Sequence, residues 1–135
     1  VPPVQQWRSE YVFLTPDKYA FDFVTIVARP GARVTLDDTP LPYAECGVRR
    51  ADACVDRTGQ PACPPPAFVA YRCQLSYPVA SVSGSSVTLR PGVQRDGVHS
   101  VTSDDRENGV AVFVSGFDAY VGYGYPAGTR TATID

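Results

Sequence analysis

The chain has 135 residues, of which 44% are hydrophobic and 19% charged, with a formal net charge of −2. That length suits one compact domain, and that apolar content excludes global disorder. Lys18 is the only lysine and acids outnumber bases, so no basic field exists to collect nucleic acid or an anionic membrane.

No apolar run approaches the ~20 residues needed to span a bilayer. Attachment to a membrane would fall to parts outside this chain. There is no methionine, not even at position 1, so the chain reads as a processed product or an excised piece. No signal peptide is legible, although one could have been removed upstream. Arginine-rich, alanine-, glycine- and valine-rich usage suggests a GC-rich, bacterial coding sequence.

In chain order, short β-rich runs are bounded by Gly, Pro, Asp and Asn, and no stretch carries the i, i+3, i+4, i+7 apolar spacing of a helix. Residues 10–14 (EYVFL) predict a strand, followed by a turn at 15–18. Residues 21–28 (FDFVTIVA) are apolar on both faces, which predicts a central strand. ArgProGly at 29–31 predicts a turn and 33–36 (RVTL) a strand, the two runs together resembling a hairpin that ends at Asp37 and Asp38.

Residues 44–73 read as an irregular excursion, with Pro64, Pro65 and Pro66 unable to donate ladder hydrogen bonds. β pattern resumes at 68–75 (FVAYRCQL), then at 86–89 and 97–102. Residues 109–114 follow, with Val110, Val112 and Val114 on one face, and 119–125 close the series. About eight short strands with no substantial helix predict an all-β fold, an antiparallel β-sandwich or jelly-roll-like domain over residues 1–135.

Four cysteines, Cys46, Cys54, Cys63 and Cys73, fall inside that excursion. None forms a Cys-x-x-Cys pair and the one histidine is distant, which fits zinc poorly. An even count in a Pro- and Gly-rich window reads as two disulfides and hence an oxidising compartment. Three connectivities are open. The nested one, Cys46–Cys73 with Cys54–Cys63, is favoured because it would close an excursion between two neighbouring strands.

Candidates for chemistry are few. His99 has Ser100, Ser103, Asp104 and Asp105 nearby, but no serine sits in a strand-to-helix elbow, so a strand histidine before a polar turn is the better reading. The pairs Asp37–Asp38 and Asp104–Asp105 lack the EF-hand spacing and read as Asx-turns, and no metal site is expected. Gly122, Gly124 and Gly128 open no helix, so no phosphate loop and no cofactor motif is present.

Two segments carry a family resemblance. YVFLTPDKYAFDFVTIVARPGARVTLDD, and DGVHSVTSDDRENGVAVFVSGFDAYVGYGYPAGT with its Gly97, His99, Ser103, Asp104, Gly116, Phe117, Tyr120, Tyr123, Tyr125, Pro126 and Gly128, resemble the opening and ending of the IgGFc-binding protein N-terminal domain family. The resemblance covers roughly residues 10–38 and 96–129. The cysteine-rich middle departs from it. It implies an extracellular or cell-surface, non-catalytic β domain with binding or adhesive duty; in a bacterium, the periplasm or outer membrane. No Fc-contacting residue carries over.

Along 118–129 (DAYVGYGYPAGT), Tyr123 and Tyr125 point to one strand face and Tyr120, Gly122 and Gly124 to the other. The run is read first as the last core strand and secondly as an aromatic patch that grips a partner. The candidate binding residues are therefore Tyr120, Tyr123 and Tyr125, with Arg49, Arg50 and Arg57 of the excursion. The expected function is a surface-located binding or adhesion module acting on another surface protein or a glycan. A secreted-hydrolase domain using His99 with Asp104 or Asp105, and a purely structural spacer, are the alternatives.

Overall fold

The structure, a computed structural model, describes residues 2, 4–50, 58, 60 and 68–129. After a three-residue 3₁₀ turn at Val4–Gln6 come ten strands: β1 (Glu10–Thr15), β2 (Phe21–Ala28), β3 (Val34–Leu36), β4 (Thr39–Pro40), β5 (Cys46–Arg50), β6 (Val69–Ser83), β7 (Ser86–Val93), β8 (Gly97–Ser103), β9 (Ala111–Asp118) and β10 (Val121–Pro126). They form two antiparallel sheets, one ordered β1-β8-β3-β4 and one ordered β10-β9-β2-β6-β5, with β7 pairing only the far half of β6. The fold is an all-β sandwich.

Period-2 alternation places the core between the sheets. From the first sheet come Tyr11, Phe13, Val34, Leu36 and Val101; from the second come Val24, Ile26, Ala28, Leu75, Val112 and Val114. β2 is central, as its two-sided apolar pattern predicts. Tyr11 fastens one corner, its hydroxyl donating to the Val110 carbonyl at 2.7 Å and accepting from the Arg8 amide at 3.0 Å.

Three expectations need correction. β2 and β3 are no hairpin: they lie in different sheets, and the turn at 29–33 carries the chain across the sandwich. The reason is burial, since Val24, Ile26 and Ala28 on one side and Val34 and Leu36 on the other all point into the same core. β3 instead turns back into β4, with Asp37 and Asp38 both at positive φ (49° and 62°), the geometry of a two-residue hairpin turn.

Within the section 44–73, residues 46–50 are strand and not irregular: β5 pairs β6 from Cys46↔Cys73 to Arg50↔Val69, and the β6 side of that ladder is the strand that 68–75 predicts. Cys46 and Cys73 face one another across it with Cα atoms 4.0 Å apart and are joined by a disulfide, the outer bridge of the nested pairing. Cys54 and Cys63 lie outside the described residues.

The third difference is the length of β6. A bulge opposite Asp22 and Phe23 inserts Leu75, and both Leu75 and Ser76 become fully buried there. Bulges bend the strand that carries them. Beyond this one, residues 77–83 leave β2 and pair with β7 as a two-stranded arm turning at Gly84, where φ is +59°. Val79, Val82, Val87, Leu89 and Val93 are all exposed on it.

Candidate functional site

The three tyrosines do not form one surface. Tyr120 sits in the β9–β10 turn at φ 64° with its side chain entirely exposed. Tyr123 and Tyr125 face inward and pack on the core, their rings 6.1 Å apart. Both hydroxyls have internal acceptors: Tyr125 donates to the Leu14 carbonyl, and Tyr123 donates to Asp22 Oδ1 at 2.6 Å. Burial, reinforced by the Asp22 hydrogen bond, holds the Tyr123 phenol far above the ordinary tyrosine range.

Gly116 makes that contact possible. It is the register partner of Tyr123 on one side and of Asp22 on the other. A Cβ at 116 would meet the Tyr123 ring at 2.4 Å and Asp22 Oδ1 at 2.6 Å, so the phenol ring crosses the strand where a side chain would otherwise stand.

His99 is only 6% exposed and stacks on Phe13 with ring centroids 5.3 Å apart. Its Nδ1 lies 2.7 Å from Asp37 Oδ2 and its Nε2 lies 2.8 Å from the Arg95 carbonyl oxygen. Asp37 Oδ1 also accepts the Ser100 amide at 2.8 Å. Nε2 also lies 3.2 Å from the Thr15 hydroxyl, so both ring nitrogens have internal partners, and the Asp37 contact ties the β3–β4 turn to β8. Asp104 and Asp105 are elsewhere: Asp104 accepts the Arg33 amide at 2.7 Å, and Asp105 accepts both the backbone and the side-chain amide of Asn108, three residues on, at 3.1 Å. Among the described residues no group of three His, Cys, Asp or Glu side chains is arranged to hold a metal ion.

The outward face of the second sheet offers a different constellation. In β2, Asp22, Val24, Ile26 and Ala28 are buried, which turns Phe21, Phe23, Thr25 and Val27 outward. Phe21 is the register partner of Phe117, and their rings stack with centroids 4.4 Å apart. Phe23 completes the array at 6.0 Å from Phe117 and 6.4 Å from Phe21. Phe117 is 46% exposed. The bare Gly122 and Gly124 of β10 lie on this face, close to Phe117 and Phe113.

Charge is set beside the aromatics. Arg72 pairs with Thr25 and leans diagonally so that its Cζ lies 4.0 Å from the Phe23 ring centroid. Arg49 and Gly47 of β5 and Gln74 of β6 complete a cavity of about 290 Å³ with Phe23 and Arg72. The Gln74 side-chain amide donates to the Ser76 carbonyl at 3.0 Å, which leaves its oxygen as an acceptor. Neither Arg49 nor Arg72 has a carboxylate partner among the described residues. A second cavity, of about 430 Å³, lies between the arm and the sheet, with Val87 and Leu89 on one side and Phe21 and Phe117 on the other.

Of the candidate residues, Arg49 therefore falls in this constellation and Tyr120, Tyr123 and Tyr125 fall outside it. Arg50 ends β5, but its side chain, like Arg57, lies outside the described residues. Sequence reasoning passed over Phe21, Phe23, Arg72, Gln74, Phe117, Val87 and Leu89. The signal that could have found the first two is the phase of FDFVTIVA. Once Asp22 is recognised as sharing the face of Val24 and Ile26, the phenylalanines must look out.

Comparison with protein-family models, with curated proteins and with solved structures returned no match. Among the described residues no helix is long and apolar enough to cross a membrane.

Proposed function

We propose that this domain is an extracellular, non-catalytic binding or adhesion module of a cell-surface or secreted protein. It works through protein–protein contact on the outward face of its second sheet. The observation that carries this reading is the Phe21–Phe23–Phe117 stack, partly exposed and flanked by two arginines that lack carboxylate partners among the described residues. Clustered aromatics with arginine are the composition of binding hot spots, and contiguous exposed apolar surface marks a site of interaction.

Three further features support the reading. The Cys46–Cys73 disulfide suits an oxidising compartment. The resemblance of residues 10–38 and 96–129 to the IgGFc-binding protein N-terminal domain family points to a surface protein. His99, the residue a hydrolase would need, is buried, with Asp37 at Nδ1 and both the Arg95 carbonyl and the Thr15 hydroxyl at Nε2.

The test is a binding screen of the purified domain against surface proteins and a glycan panel, repeated with Phe117→Ser and Arg72→Glu. Both positions are exposed, so the variants should fold. A partner captured by the wild type and lost by both variants is the expected result. A partner held equally well by the variants, or turnover of any panel member that His99→Ala abolishes, would sink the proposal.

A further inference from the structure

The two cavities of the outward face are neighbours, and they differ in chemistry. Phe23 floors the first, beside Arg49, Arg72 and Gln74, while Phe21 and Phe117 wall the second, opposite Val87 and Leu89. The stacked phenylalanines connect them, with Phe23 only 6.0 Å from Phe117. A ligand lying across both meets two guanidinium groups at one end and an apolar slot at the other.

From this we infer that the face binds an extended peptide segment of a partner protein, with an acidic side chain at one end and apolar side chains beside it. The inference rests on the binding-module reading given above and narrows it to one chemistry.

Charge complementarity fixes the acidic end. The chain as a whole is acidic, with a net charge of −2, yet Arg49 and Arg72 line one cavity without a carboxylate partner among the described residues. Arg72 has its Cζ 4.0 Å from the Phe23 ring centroid, and an arginine packed on an aromatic ring keeps its planar N–H fork for a carboxylate, which it receives with two parallel hydrogen bonds. Asp118 lines the far cavity, which disfavours a second acid there and gives the bound segment a direction.

The apolar slot favours peptide over saccharide. Aliphatic side chains on one wall and phenyl rings on the other enclose an apolar side chain from both sides, whereas a sugar would find only Thr88 and Asp118 for its hydroxyls and would set the others against Val87, Leu89 and the rings. β7 adds a second reason. It pairs only with β6, so no other described strand covers the backbone N–H and C=O groups of its outer edge, which an extended chain can match.

The experiment is fluorescence polarisation with labelled octapeptides of alternating Leu and Thr carrying one terminal Glu, Gln or Lys, at low ionic strength. An oligogalacturonate serves as the acidic saccharide competitor. The Glu peptide should bind in the micromolar range, and the Gln peptide at least about tenfold more weakly. Arg72→Glu should weaken the Glu peptide by a similar factor and improve the Lys peptide. Leu89→Ser should weaken every peptide alike.

Equal affinity for Glu and Gln peptides overturns the acidic specificity. Binding of the oligogalacturonate with no binding of the Glu peptide overturns the peptide inference but leaves a binding face in place. If neither probe binds while the captured partner of the wider screen still depends on Phe117 and Arg72, this inference fails alone. If that dependence is also absent, both readings fall.

Discussion

Tyr123 of β10 reaches over Gly116 of β9 to donate a 2.6 Å hydrogen bond to Asp22 of β2, two strands away. Asp22 is fully buried and its other oxygen, Oδ2, has no hydrogen-bond partner among the described residues. Among the described residues the phenol is the one side-chain donor to this buried carboxylate. Removing it in Tyr123→Phe leaves the ring but not the bond, and should destabilise the domain by about 1–3 kcal/mol in urea unfolding. The same bond makes stability fall in alkali. A phenol held above its ordinary value of 10.0 contributes fully below about pH 10 and loses that contribution as the pH rises further. The urea midpoint of the wild type should drop above about pH 10, and that of Tyr123→Phe should drop less steeply.

Gly116→Ala probes the same crossing from the other side. A methyl group there would sit 2.4 Å from the Tyr123 ring and 2.6 Å from the Phe21 carbonyl oxygen. Overpacking of this kind costs about 1–3 kcal/mol, and the backbone contact leaves little room for relief. Thermal or urea unfolding gives the magnitude. Combining it with Tyr123→Ala should recover part of the loss, because the ring that clashes is gone.

Cys46 and Cys73 are joined across a sequence separation of 27. The bridge should contribute about 2–4 kcal/mol, measured as the difference between wild type and the Cys46→Ala, Cys73→Ala pair. Peptide mapping without reductant should recover the Cys46–Cys73 linkage. Intact mass should show no free thiol until reduction releases four, which is the outcome if Cys54 and Cys63 form the inner bridge.

How much of this was legible before folding differs by element. The central place of 21–28 and the shared face of Val110, Val112 and Val114 follow from the apolar pattern, and so does the inward turn of Tyr123 and Tyr125. Which face of 21–28 looks into the core was not legible, because both faces are apolar. The β2–β3 crossing was not legible, because Arg29, Pro30 and Gly31 would read alike in a hairpin and in a crossing. Only the shared core of Val24, Ile26, Val34 and Leu36 distinguishes them, and that is a long-range fact. Of the arm only 86–89 was legible, as the start of β7; the rest was hidden by Pro78, Pro91 and Gly92 at its root and by the serines at its tip, which read as strand breakers and loop. The aromatic face depends on the register that sets Phe21 against Phe117, almost a hundred residues apart in sequence and invisible to any local pattern.

Asp96 is a candidate for stabilisation. Burial first, then a hydrogen bond to Asp17 and the nearby Asp22 charge, raise its carboxyl above the ordinary 3.8. A carboxyl so raised favours the fold below about pH 4 and ceases to do so as the pH climbs through its folded value. Asp96→Asn should therefore raise the urea midpoint at pH 7, and the gain should shrink toward pH 3. A destabilised variant at neutral pH would count against this account of the Asp96 environment.

The proposal that the outward face of the second sheet is the binding surface is tested most directly by amide chemical-shift mapping. The labelled domain is titrated with its captured partner or with the Glu-bearing octapeptide. The largest shifts should fall at Phe23, Gly47, Arg72, Gln74 and Phe117 and along β7. Shifts confined to the Tyr120 turn, or to Asp37 and His99, with that face silent, would contradict it.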